Sequence, residues 1–149
     1  MATFFQLVID CHDPSTLVAF WQPLLGGYRV PDPPAPHPTW RDWYISLGVP
    51  AAEIEGDGAD RLVPTDGNGV NIWFQVVPET KSVKNRLHLD LRVSRGPEIP
   101  RQQRRADIEA AVDDIRRRGG SLVRWSEDDR ADRVSALVAD PEGNEFCLV

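Results

Sequence analysis

The stretch NRLHLDLRV, Asn85–Val93, alternates strictly from Leu87 onward. Leu87, Leu89, Leu91 and Val93 fall on one side, and His88, Asp90 and Arg92 on the other. Side chains along a strand alternate with a period of two, so the stretch reads as a strand with one apolar and one ionisable face. The residues after it set the plan of the fold. Beyond the loop SRGPEIP comes RQQRRADIEAAVDDIRRRGG, a helix with Ile108, Ala111, Val112 and Ile115 on one face, stopped by Gly119-Gly120. SLVRW, RVSALVAD and NEFCLV then read as three more strands.

The first half is written to the same plan. FFQLVIDC, Phe4–Cys11, has the β-branched and aromatic character of a strand. Asp13 is a good N-cap and Pro14 suits the first helical position. Leu17, Phe20, Trp21, Leu24 and Leu25 form an apolar stripe, with Pro23 kinking or shortening the last turn and Gly26-Gly27 ending it. YRV begins a second strand, and the proline-rich PDPPAPHP is a loop. WRDWYISL (Trp40–Leu47) and VNIWFQVV (Val70–Val77) read as the third and fourth strands, joined by a polar loop ending in DGNG. The last strand of the second half comes after a similar turn, DPEGN.

Aligning the halves pairs Gln6 with His88, Phe74 with Phe146 and Gln75 with Cys147. Such a repeat predicts an α+β fold of two βαβββ modules, their eight strands forming a curved sheet, a cup, with the helices outside. Module one is expected over 1–78 and module two over 85–149. The linker is 79–84, within a single domain spanning 1–149.

Composition narrows the function classes. Of the 149 residues, 41% are hydrophobic and 27% charged, which suits a soluble globular chain with a real core. The net charge of -6 disfavours a general attraction to nucleic acid or to an anionic membrane surface. No window approaches the roughly 20 apolar residues of a membrane span. The opening MATFFQLVIDC lacks the basic flank and cleavage site of a secretory signal, so a cytoplasmic location is expected. Two cysteines, Cys11 and Cys147, are too few for a disulfide framework.

VIDCHDP opening a helix that contains FW, HLDLRV opening the second half, and DPEGNEFCLV at the end resemble the vicinal oxygen chelate superfamily. This group includes glyoxalase I, extradiol dioxygenases, fosfomycin-inactivating transferases and the bleomycin-resistance proteins. The likeness extends over nearly the whole chain and is strongest to small bacterial glyoxalase-like proteins. It implies four cup-facing positions, here Gln6, His88, Gln75 and Cys147, with Glu145 two residues earlier on the face of Cys147. In metal-dependent members these positions hold a divalent ion, so Gln6, His88 and Glu145 are the metal donors it implies. A soft Cys and a neutral Gln make an atypical set for hard, oxygen-binding ions. The resemblance also implies a homodimer.

The residues themselves leave alternatives open. His88 is the candidate catalytic group, as acid/base, metal ligand or ligand-contacting donor, because imidazole titrates near neutrality; the other reading is a hydrogen-bonded or rim histidine. Asp90 and Arg92 either contact a ligand or pair with each other, and Arg92 could instead meet Asp10. Trp73, beside Gln75 on one strand face, suits stacking on a planar ligand or packing in the core. Cys147 is a nucleophile or a small residue that gives a ligand room. Two main functions fit these residues. One is a lyase, isomerase or oxygenase acting on a small oxygenated metabolite. The other is a metal-free protein that sequesters an aromatic compound. A third reading is a structural remnant with a filled cup.

Overall fold

The computed structural model describes residues 5–149; Phe4, expected to open the first strand, lies outside them. The chain divides into two compact units, the first ending at Thr80 and the second beginning at Lys81. Module one contains β1 (Gln6–Cys11), α1 (Pro14–Leu25), β2 (Tyr28–Arg29), α2 (Trp40–Ser46), β3 (Arg61–Pro64) and β4 (Asn71–Val76). Module two contains β5 (Asp90–Leu91), α3 (Arg101–Arg117), β6 (Ser121–Asp128), β7 (Arg133–Ala139) and β8 (Glu145–Leu148). The fold is α+β, built from two βαβββ modules with α2 inserted in the first.

The two sheets share one topology. Their strand orders are β1-β4-β3-β2 and β5-β8-β7-β6. In each, the first strand pairs in parallel with the last and the remaining pairs are antiparallel. A parallel pair needs a long crossover, and here the helix and the two middle strands supply it.

Each sheet is covered on one face by its helix. Asp13 caps α1 by accepting the Thr16 N–H at 3.1 Å, and Pro14 sits where a missing N–H costs nothing. The helix runs through Pro23 to Leu25. Its Leu17, Val18, Phe20 and Trp21 are buried, as are Cys11, Leu62, Ile72 and Phe74 of the sheet. In module two, Ile108, Val112 and Ile115 of α3 are buried along with Ala136, Val138, Phe146 and Leu148. Each fully buried large apolar side chain stabilises by about 1.5–3 kcal/mol. Trp125 lies under the Arg105 guanidinium of α3, 3.4 Å from the ring centroid, and thus belongs to the helix side of the sheet.

Two expectations are corrected. Trp40–Leu47 is not a strand: Trp40–Ser46 is helical. Thr39 caps it, its hydroxyl accepting the Asp42 N–H at 3.0 Å and donating to the Asp42 carboxylate at 2.6 Å. This local bonding overrides the strand preference of Trp, Tyr and Ile. The third strand is instead Arg61–Pro64, inside the stretch that reads as a polar loop. The second correction concerns NRLHLDLRV. Only Asp90 and Leu91 join the ladder, opposite Cys147 and Leu148, while Leu87 is 83% exposed. The start of the stretch is tied down otherwise, Asn85 bonding Glu145 through its backbone N–H and its side-chain amide, both at 3.1 Å. Among the described residues, no helix is long and apolar enough to cross a membrane.

The loop between α2 and β3 is held close to the helix. Arg41 donates to the carbonyls of Ile54 at 2.5 Å and Ala51 at 2.8 Å, and its backbone N–H bonds the Asp57 carbonyl at 2.7 Å. Gly58 has φ +78, and a Cβ there would stand 2.7 Å from the Arg41 backbone nitrogen. Gly58→Ala is therefore expected to lower stability by about 2 kcal/mol or more, combining left-handed strain with a backbone clash. A urea-unfolding midpoint equal to that of the native chain would contradict this packing.

Candidate functional site

Asp60 immediately precedes β3 and is 7% exposed. Its carbonyl accepts the Phe74 N–H at 2.8 Å, which carries the β3–β4 ladder one residue further. Its carboxylate is surrounded by donors. Oδ1 accepts Arg61 Nε at 2.6 Å, while Oδ2 accepts the Tyr44 hydroxyl at 2.5 Å, Trp73 Nε1 at 3.0 Å and an Arg61 terminal nitrogen at 3.1 Å. The same Arg61 nitrogen donates to the Tyr44 oxygen at 3.0 Å. The guanidinium also stacks on Trp40, 4.2 Å from its ring centroid. Burial, then the hydrogen bond and charge of Asp60, push the Tyr44 hydroxyl from its ordinary 10.0 up to about 12, against the opposing effect of Arg61. Tyr44 thus stays a neutral donor.

Beside this network lies a half-open cavity of about 580 Å³ at the carboxyl ends of β1 and β4. Trp73, Tyr44 and Phe74 line it, with Gln75 and Val76 ending β4 and His12 just past β1. The α2–β3 loop also lines it, through Val49, Ile54 and neighbours that include Glu53 and Glu55. Arg41 holds that loop from one side. From the other, the Ser15 hydroxyl donates to the Glu55 carbonyl at 3.2 Å. The volume falls in the range of ordinary small-molecule sites, and a mostly apolar wall with a few polar groups is their usual make-up.

Of the candidate residues in the sequence, Trp73 and Gln75 meet at this cavity. Gln6 is exposed on β1, level with Asn71 in the ladder. The remaining ones belong to module two. His88 is exposed and lies outside the ladder, in a surface hollow with Val83, Lys84, Asn85 and Arg86. Asp90 does not pair with Arg92 but lies against Cys147, opposite it in the ladder. Burial, then the charge and hydrogen bond of Asp90, raise the Cys147 thiol above its ordinary value. That is the reverse of what a nucleophile or a thiolate ligand requires.

Of the donors implied for a metal, Glu145 accepts the Asn85 N–H, while Gln6 and His88 are exposed. Among the described residues, no three His, Cys, Asp or Glu side chains come together as a metal site. Tyr44, Asp60, Glu53 and Glu55 are site residues that the sequence pattern does not single out. Strand-like composition surrounds Tyr44, and Asp60 sits in a stretch with the polarity of a loop. A signal for the helix is nevertheless present in TWRD, Thr39–Asp42, which has the spacing of a capping box.

The sequence model of the glyoxalase-like domain matches residues 6–149. The chain belongs to this family. Among curated proteins nothing matches. Solved structures share the glyoxalase-like fold. A hypothetical protein from S. aureus aligns with TM-score 0.59 at 11% identity, covering 99% of this chain and 93% of that one. A glyoxalase/bleomycin resistance protein/dioxygenase family enzyme from Burkholderia phytofirmans aligns with TM-score 0.58 at 16% identity, covering 99% and 97%. The fosfomycin resistance protein FosX from Listeria monocytogenes, solved with Mn(II) and a dihydroxypropylphosphonic acid, aligns with TM-score 0.58 at 10% identity, covering 99% and 89%. At these identities the likeness is one of fold, and the fold hosts several chemistries.

Two measurements check this electrostatic picture. Tyr44 is expected to ionise only near pH 12, read as the difference in phenolate absorbance between the native protein and Tyr44→Phe. Its folded value lies above the unfolded 10.0, so its contribution to stability is complete below pH 10.0 and is lost as pH rises towards about 12. A phenolate step near pH 10 in the difference spectrum contradicts the Asp60 network. Alkylation of Cys147 at pH 8 is expected to be slow and to quicken in Asp90→Asn by about threefold, since burial still acts on the thiol. Equal rates, followed by mass spectrometry, would count against the Asp90 contact.

Proposed function

We propose that this glyoxalase-like chain binds a compact, planar small molecule in the module-one cavity, and that binding requires no metal ion. The carrying observation is the cavity wall itself. Trp73 and Tyr44 flank a space of about 580 Å³, and both are fixed by hydrogen bonds to buried Asp60. Aromatic side chains held rigid before a ligand arrives lose little conformational entropy on binding it. The indole N–H is already occupied by Asp60, so Trp73 offers its ring rather than a polar contact. Gln75, at the end of the same strand, lines the cavity and supplies an amide for orientation.

Sequestration accounts for these groups better than proton transfer does. Asp60 accepts hydrogen bonds from Tyr44, Trp73 and Arg61, which together fill the roughly four acceptor sites of a carboxylate. Tyr44 stays protonated up to about pH 12. Tyr44 is therefore not poised to exchange a proton at neutral pH. The catalytic role considered for His88 lies with a different, exposed hollow in module two.

Titration with naphthylmethanol, followed by tryptophan fluorescence with and without chelator, tests the proposal. Saturable quenching that EDTA leaves unchanged is the expected result. Ala52 lines the cavity from an exposed position, so Ala52→Phe fills it without disturbing the core. This variant is expected to bind at least about tenfold more weakly, with an unchanged melting temperature. His88→Ala is expected to bind as the native protein does. Loss of binding on chelation, or undiminished binding by Ala52→Phe, would overturn the proposal.

A further inference from the structure

We infer that the module-one cavity selects molecules that join an apolar, planar body to a positively charged nitrogen, an ammonium or amidinium group. The inference rests on the reading of the cavity as a ligand site and adds the charge of the ligand. Three acidic residues line the cavity, Glu53, Glu55 and Asp60, against a single histidine, His12, and no lysine or arginine. Asp60 is neutralised by Arg61, the two atoms nearest each other being 2.6 Å apart. Glu53 and Glu55 are not neutralised. Both are exposed at the cavity, and among the described residues neither carboxylate has an ion pair or a hydrogen bond within the protein.

Their position is built by the loop backbone. The carbonyls of Ala51, Ile54 and Glu55 are turned toward Arg41 and Ser15, which bond them and fix the course of the chain. Arg41 is the cation that holds this loop, through one bond from each terminal nitrogen to a backbone carbonyl, and it does not line the cavity. Trp73 and Tyr44 line the same cavity. Aromatic ring faces carry negative potential and attract a cation placed over them. Carboxylates and aromatic rings lining one cavity both favour a cation within it. The same field rejects a carboxylate or phosphonate. The net charge of -6 adds a long-range term of the same sign.

Three probes with one aromatic body separate charge from shape: naphthylmethylammonium, naphthylmethanol and naphthoate, each titrated by calorimetry at low salt. The ammonium is expected to bind tightest and the carboxylate weakest. In the double variant Glu53→Gln, Glu55→Gln, affinity for the ammonium is expected to fall roughly fivefold while that for the alcohol is unchanged. Both sites are exposed loop positions, and the alcohol reports whether the variant still folds its cavity. Added salt is expected to weaken the ammonium alone. Equal affinity for all three probes, tighter binding of the carboxylate, or an ammonium affinity that ignores the double substitution would overturn the inference and leave the cavity reading standing. Failure of all three probes to bind would remove both.

Discussion

Asp60 is a carboxylate taken almost wholly out of water, and such a group persists only where donors replace its hydration. Those donors come from three separate places in module one: Tyr44 from α2, Trp73 from β4 and Arg61 from β3. The arrangement therefore docks α2 against the sheet, although α2 is short and exposes Ile45 and, just beyond its end, Leu47. Buried Trp40 adds apolar packing to these bonds. Removing a single donor would leave a buried charge short of partners, whereas the complete set is self-consistent.

Fixing α2 also fixes the loop beyond it. Arg41 leaves the same helix and gathers the segment that carries Glu53 and Glu55, so the helix that supplies Tyr44 to the cavity also holds its acidic loop. Module two has the same strand order but no counterpart of α2. Its corresponding strand positions hold Glu145, clamped to Asn85, and Cys147, held as a thiol by Asp90. The two copies of one plan thus differ at these positions, and module one alone carries the inserted helix.

The repeat is legible in the sequence because both modules keep their apolar residues in phase with one helix and with the final strand. Leu17, Phe20 and Trp21, and likewise Ile108, Val112 and Ile115, are buried as their spacing implies. Phe74 and Phe146, matched by the repeat, are both buried in the last strands. The hidden parts have a local cause each time. Trp40–Ser46 is rich in strand-favouring residues, but Thr39 and Asp42 tie the backbone into a helical turn before those preferences act. Arg61–Pro64 is hidden because it is short and follows the polar, glycine-containing EIEGDGAD, whose Asp60 pairs with Arg61 in the fold. Of the site, Trp73 and Gln75 are visible from strand alternation. Tyr44 and Asp60 are not, because their meeting depends on a helix whose composition reads as a strand.

The parallel pairing of first strand with last has a consequence for how the chain is made. Gln6 finds its place only beside Asn71, and Asp90 only beside Cys147, so each sheet closes across nearly the full length of its own module. Contacts of such separation form late, since the entropy of closing the intervening loop must be met first. During synthesis β1 is an unpaired edge until β4 has left the ribosome. By then every residue that lines the module-one cavity, from His12 to Val76, has emerged. The cavity can be finished while the second module is still being translated.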